Sequence, residues 1–108
     1  MSCVFCRIVA KSQPADILHE DDDLIVFKDI NPRAPVHVLL VPKAHLATLN
    51  EVDASHLPLL GKLLLTAKQL AAQWGLADKG YRLVMNVGRG GGQVIDHLHL
   101  HFLGGWQR

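Results

Sequence analysis

The chain has almost no net charge: eleven Lys and Arg against ten Asp and Glu over 108 residues. A near-neutral surface offers no broad polyanion-binding face, so nucleic acid is not the expected partner. Apolar runs long enough to span a bilayer are absent, which leaves no expected membrane segment. Neither a basic stretch nor an apolar stretch follows Met1, so no secretory signal is read and a cytoplasmic location is expected. Cysteine is scarce, and in that compartment a structural disulfide is not expected. Repeats, low-complexity tracts and linkers are missing too. Residues 1–108 are therefore read as a single domain with one core, for which 49% apolar residues suffice.

The two cysteines, Cys3 and Cys6, stand as C-x-x-C. A redox pair would normally follow a strand, and nothing before Cys3 supplies one. Half of a metal site, or two small buried thiols, are the readings left open.

Patterning then sets out the elements. Val4 to Ala10 reads as a short helix. Leu24 to Phe27 reads as a buried strand after the acidic turn Glu20–Asp23, to which no function is given. Asn31-Pro32-Arg33-Ala34-Pro35 is a loop, because two prolines fix φ and remove donors. His37 to Val41 is a second strand. From Leu57 to Trp74 apolar residues recur at helical spacing: Leu60, Leu63, Leu64, Ala67, Leu70, Ala71 and Trp74. Ser55 is the expected N-cap, Pro58 falls in the first turn, and Gly75 follows the end. Gly61 suggests close packing. Tyr81 to Val87 and Val94 to Leu103 are a third and fourth strand around the Gly88–Gln93 loop. One long helix with several strands gives an α+β domain on a mainly antiparallel sheet.

The segment His97-Leu98-His99-Leu100-His101 carries the chemistry. Strand side chains alternate, so the leucines share one face and the imidazoles the other, roughly 6–7 Å apart. Aligning three imidazoles serves no packing purpose. The array suits either a zinc site or a nucleophile with flanking groups that orient it and meet an anion. Glycines 90 to 92 allow close backbone approach, and their N–H groups are expected to face a phosphate.

At this point the chain resembles the histidine triad family, whose signature is His-φ-His-φ-His-φ-φ with φ apolar; here it reads His97-Leu98-His99-Leu100-His101-Phe102-Leu103. The likeness extends to Phe27-Lys28-Asp29-Ile30-Asn31-Pro32, Ala34-Pro35-Val36-His37, Val41-Pro42-Lys43-Ala44-His45, Tyr81–Asn86, Gly92-Gln93 and Leu103-Gly104-Gly105. It is similar above all to the branch of small nucleotide-binding phosphoramidases. That resemblance implies a five-stranded antiparallel sheet with one long helix and a short N-terminal helix, paired into a homodimer. It implies an enzyme whose middle histidine, His99, attacks the α-phosphorus of an AMP or GMP conjugate, forming a covalent nucleotidyl-histidine. His101 is implied as a phosphate contact and His37 as an aid to proton movement. Asp29 is implied to take the ribose hydroxyls, Phe27 and Ile30 to wall the base, and Asn86 and Gln93 to surround the phosphate and ribose. Val94 replaces a hydroxyl residue of some relatives, leaving its backbone N–H for the phosphate. Many relatives continue past the position of Arg108 with a tail that reaches the partner subunit's site, so the resemblance implies the chemistry but assigns no specificity pocket.

The related galactose-1-phosphate uridylyltransferases resemble the chain in pairing a C-x-x-C with a His-x-His whose first histidine binds metal. This implies a structural zinc on Cys3, Cys6, His45 and His97, with no metal needed for the chemistry. Two competing readings are a zinc hydrolase using the histidine strand and a nucleotide-binding module without turnover.

Overall fold

A computed structural model describes residues 3–107. Five strands form one antiparallel sheet: β1 (Ile17–Glu20), β2 (Leu24–Lys28), β3 (Val36–Pro42), β4 (Tyr81–Val84) and β5 (Leu100–Gly104), in the order β1-β2-β3-β5-β4. Helix α1 (Val4–Val9) covers one face and α2 (Leu57–Gln73) the other. The expected architecture is present.

The central strands are mostly apolar on both sides, His37, His101 and the terminal Lys28 apart, because both faces are covered. Along β2 and β3, Leu24, Val26, Val38 and Leu40 pack under α2 with Leu63, Ala67 and Leu70. Their alternates Ile25, Phe27, Leu39 and Val41 pack under α1 with Phe5 and Ile8. On β5 Leu100 and Phe102 join the α2 side, and Phe102 stacks on Tyr81 with ring centroids 5.0 Å apart. His101, in register with Leu39, therefore faces the α1 side.

Several boundaries differ from expectation. β1 was not read as a strand: it is a four-residue edge strand, mostly exposed and irregular in register between Ile17 and His19. β4 stops at Val84. β5 begins only at Leu100, so His97, at the end of a bend, Leu98 and His99 form an irregular entry to the strand. The cause is local. The Arg89 guanidinium donates to the carbonyls of Gln93 and Val94 and the Gln93 amide to that of Ile95, so these groups have no partner strand.

Ser55 is not the cap of α2. Asp53 caps a short 3-10 turn, Ala54–His56, in a capping box with His56, and α2 follows with Pro58 in its first turn. Gly75 does end the helix, at φ +70°. Within the stripe Leu64 is exposed and Thr66 is buried in its place. Gly61 faces open space, so its expected close packing is absent. The acidic turn is a tie to α2: Lys62 pairs with Asp23 at 2.8 Å and Asp21 at 3.1 Å.

Candidate active site

α1, the β2–β3 loop, the Gly-rich loop and β5 surround a cavity of about 530 Å³. Of the residues expected to bind nucleotide, Phe27, Asp29, Ile30, Asn86, Val94, His99 and His101 all line it. Val4, Phe5 and Ile8 line it as well. The sequence reading treated those three only as part of a helix; their signal was the apolar spacing of three and four residues, Phe5 to Ile8 and Val4 to Ile8, which looks the same for a core helix and a pocket wall.

Hydrogen bonds fix the imidazole protons, since a carbonyl only accepts and a backbone N–H only donates. Nδ1 of His99 donates to the His97 carbonyl at 2.7 Å, so its Nε2 carries the lone pair. Phe5 packs edge-on against this ring with centroids 5.1 Å apart. Nδ1 of His37 accepts from the Arg33 N–H at 3.1 Å, so its Nε2 carries a proton. That proton faces Nδ1 of His101 at 2.9 Å, with the Asp29 carboxylate at 3.3 Å. Nε2 of His101 is then the protonated nitrogen. One array thus holds an imidazole lone pair on His99 and an imidazole donor on His101, with ring centroids 4.9 Å apart.

All three imidazoles are buried and electrically neutral by preference. Burial pushes the basicity of His99 down, against the pull of the His97 carbonyl. Burial also lowers His37, against the attraction of Asp29. His101 is driven down to about 4 by burial, then by the neighbouring His99 and His37.

Asp29 accepts the Asn31 N–H at 2.8 Å through one carboxylate oxygen and faces His37 with the other. Each oxygen keeps a further acceptor site open. Gln93 does not line the cavity. It is buried behind the loop, accepting the Gly88 N–H at 2.9 Å and donating to the carbonyls of Ala47 and Ile95. Its amide holds the loop in shape. The glycine N–H groups also differ from expectation: those of Gly91 and Gly92 donate to the carbonyls of Gly88 and Arg89 within a 3-10 turn.

A second cluster lies behind the first. His97 is fully buried, and its Nε2 donates to the Pro42 carbonyl at 2.7 Å, which turns the Nδ1 lone pair toward the cysteines. That Nδ1 lies 3.4 Å from Sγ of Cys3 and 3.6 Å from Sγ of Cys6, while Nδ1 of His45 lies 3.1 Å from Sγ of Cys6. The four donor atoms lie within 4.8 Å of one another. Zinc–ligand lengths of about 2.3 Å for sulfur and 2.0–2.1 Å for nitrogen imply a tetrahedral S···N edge of roughly 3.6 Å. The donor set and spacing fit zinc. Asp29, His37 and His101 also lie within 4.8 Å of one another. Their His–His contact of 2.9 Å is a hydrogen bond, and the Nε2 of His37 that faces the group carries its proton, so it offers no lone pair to a metal.

Known proteins resemble this chain in sequence and fold. Residues 2–106 match the family model described as scavenger mRNA decapping enzyme C-term binding. The purine nucleoside phosphoramidase of Escherichia coli K12 is 43% identical, covering 94% of this chain and 86% of that one. A crystal structure of a HIT family hydrolase from Legionella pneumophila superposes with a TM-score of 0.96 at 48% identity, covering 98% of this chain and 95% of that one. A Zn-bound histidine triad family protein from Mycobacterium smegmatis is 31% identical with a TM-score of 0.83, covering 95% and 74%. With the triad leading into β5, this fold and these relatives, the chain belongs to the histidine triad family.

Proposed function

We propose that this chain is a nucleoside phosphoramidase: it hydrolyses conjugates of a purine nucleoside monophosphate, AMP or GMP, through a covalent nucleotidyl-histidine on His99. The observation that carries the reading is the His99 tautomer. Its Nδ1 is tied to the His97 carbonyl, so Nε2 is the nucleophilic atom, in a cavity that also holds the donor His101. The purine nucleoside phosphoramidase relative supports the substrate class.

In the first step Nε2 of His99 attacks the α-phosphorus. A P–N bond to the enzyme forms as the bond to the leaving amine breaks, and the amine departs with a proton from solvent, which the water that attacks in the second step gives back. Charge building on the phosphoryl oxygen is met by Nε2–H of His101, whose other nitrogen is backed by His37. Water then attacks phosphorus, the P–N bond to His99 breaks, and the nucleoside monophosphate is released. Asp29 has acceptor capacity for the ribose hydroxyls, Phe27, Ile30, Phe5 and Ile8 wall the base, and Asn86 and the Val94 backbone flank the phosphate. Gln93 acts through the loop it holds.

The histidine strand as a catalytic zinc site has less support, because the three imidazoles do not converge: His97 turns to the cysteines and His99 binds a carbonyl. We assign zinc to Cys3, Cys6, His45 and His97, where it would tie α1 to the entry of β5; the Zn-bound relative supports this. Among the described residues no helix is long and apolar enough to cross a membrane, and the free thiols of Cys3 and Cys6 suit a reducing, cytoplasmic setting.

Turnover of adenosine 5′-phosphoramidate tests the reading. The wild-type chain releases AMP, and His99→Ala lowers the rate by about three orders of magnitude while AMP still binds. A His99→Ala variant that keeps a tenth of the rate contradicts it.

A further inference from the structure

One cation at this site has no task in the mechanism above. Arg33 sits between Pro32 and Pro35, which restrict the loop, and its N–H donates to His37. The backbone is thus held against the triad, and the side chain lines the same cavity as His99, His101 and Asp29. Its charge reaches His37 and His101 and disfavours their protonated forms. Lys28, the other cation of the lining, pairs with Asp16 at 3.3 Å. Arg33 forms no ion pair with a carboxylate among the described residues. Asp29 is the one carboxylate of the lining, and it is already engaged by Asn31 and His37.

A nucleoside monophosphate conjugate brings one negative charge near the reacting phosphorus, and His101 supplies a donor for it. The exposed Arg33 guanidinium, beside two neutral imidazoles, is then left without an anionic partner among the described residues, and a second anion on the substrate would pair with it. A guanidinium presents a planar fork that fits the oxygens of phosphate or carboxylate in pairs.

Resting on the nucleotide reading of this cavity, we propose that Arg33 is a specificity-determining residue that binds a second anionic group of the substrate, beyond the α-phosphate. The favoured substrates are nucleotide conjugates that place a phosphate or carboxylate within reach of the β2–β3 loop. That group stands either on the leaving side of the α-phosphate or on the ribose.

Calorimetric titration of the full chain separates the two. The ligands are AMP, α,β-methylene ADP (second phosphate on the leaving side) and adenosine 3′,5′-bisphosphate (second phosphate on the ribose). One of the two doubly phosphorylated ligands binds wild type about tenfold more tightly than AMP, and its identity gives the position of the anion. Arg33→Gln cuts that advantage to within about twofold, and Arg33→Lys, which keeps the charge, restores part of it. Equal affinity of wild type for all three ligands overturns the proposal, as does an advantage that survives in Arg33→Gln. Failure of AMP itself to bind overturns the nucleotide reading as well, so the two failures are distinguishable.

Discussion

The carbonyl of His97 accepts the Nδ1 proton of His99 at 2.7 Å. The residue whose imidazole faces the two cysteines is therefore the one whose backbone sets the proton on the His99 ring. Phe5, between those cysteines in sequence, touches both rings edge-on, with centroids 5.8 Å from His97 and 5.1 Å from His99. The Cys3, Cys6, His45 and His97 cluster and the His99 imidazole share one small piece of packing.

That sharing gives the zinc prediction. Protein purified without chelator contains about one zinc per chain, and a Cys3→Ser, Cys6→Ser double variant contains none and melts at a lower temperature. Turnover measured well below melting falls less than stability does, because the His97 carbonyl belongs to the backbone. Metal analysis and calorimetry decide it. A metal-free wild type, or a double variant that melts with wild type, contradicts the assignment.

The buried triad makes stability depend on pH in a window set by His101. In the unfolded chain this imidazole takes a proton near its ordinary 6.5, but in the folded chain only near about 4. Between those values the unfolded state binds more protons, so stability rises with pH there. The contribution is fully present above about 6.5 and is lost as pH falls through about 4. His37 and His99 are displaced in the same direction, again chiefly by burial. The melting temperature should fall as pH drops from 6.5 to 4, and fall less in His101→Asn. A flat profile across that window contradicts the neutral triad.

Gly105 has φ of +86°, and a Cβ there would lie 3.1 Å from Cβ of Pro35 and 3.3 Å from Cγ2 of Val36. Gly105→Ala is strained both by conformation and by contact, and should cost about 1–3 kcal/mol. It presses on the two residues that lead into His37, so turnover falls too. Gly90, with open space around it, gives the control: Gly90→Ala changes stability by less than about 0.5 kcal/mol. Equal denaturation midpoints for the two variants would refute this.

Assembly follows from what the fold leaves uncovered. Leu57, Leu64 and Leu65 of α2 are 65%, 56% and 59% exposed, and β4 is an edge strand. A symmetric homodimer would cover both. Light scattering at micromolar concentration should give twice the chain mass of 11.9 kDa, and Leu65→Lys should shift it toward the monomer. A monomer mass for wild type contradicts pairing.

What the sequence made legible divides along physical lines. β2, β3 and α2 were readable because burial writes itself as an apolar run or a helical stripe. The leucine–histidine alternation placed the imidazoles on one face, since Leu98 and Leu100 must enter the α2 core. β1 left no such trace: it is short, at an edge and largely exposed. The start of β5 was misplaced because Arg89 and Gln93, distant in the fold's logic from a strand, take the carbonyls a strand would use. The glycine loop looked like an anion cradle, but the Gly91 and Gly92 N–H groups close its own turn. Phe5 and Ile8 were hidden as pocket walls because an apolar face does not say whether protein or ligand covers it.

The proposed chemistry stands on a bond between phosphorus and Nε2 of His99. It is tested most directly by mixing the protein with adenosine 5′-phosphoramidate, quenching in alkali, and locating the adduct by mass spectrometry of peptides. The prediction is one adenylate on the peptide holding His97, His99 and His101, assigned by fragmentation to His99 and absent in His99→Ala. Steady turnover with no adduct on any histidine, or an adduct on His101 that persists in His99→Ala, would contradict it.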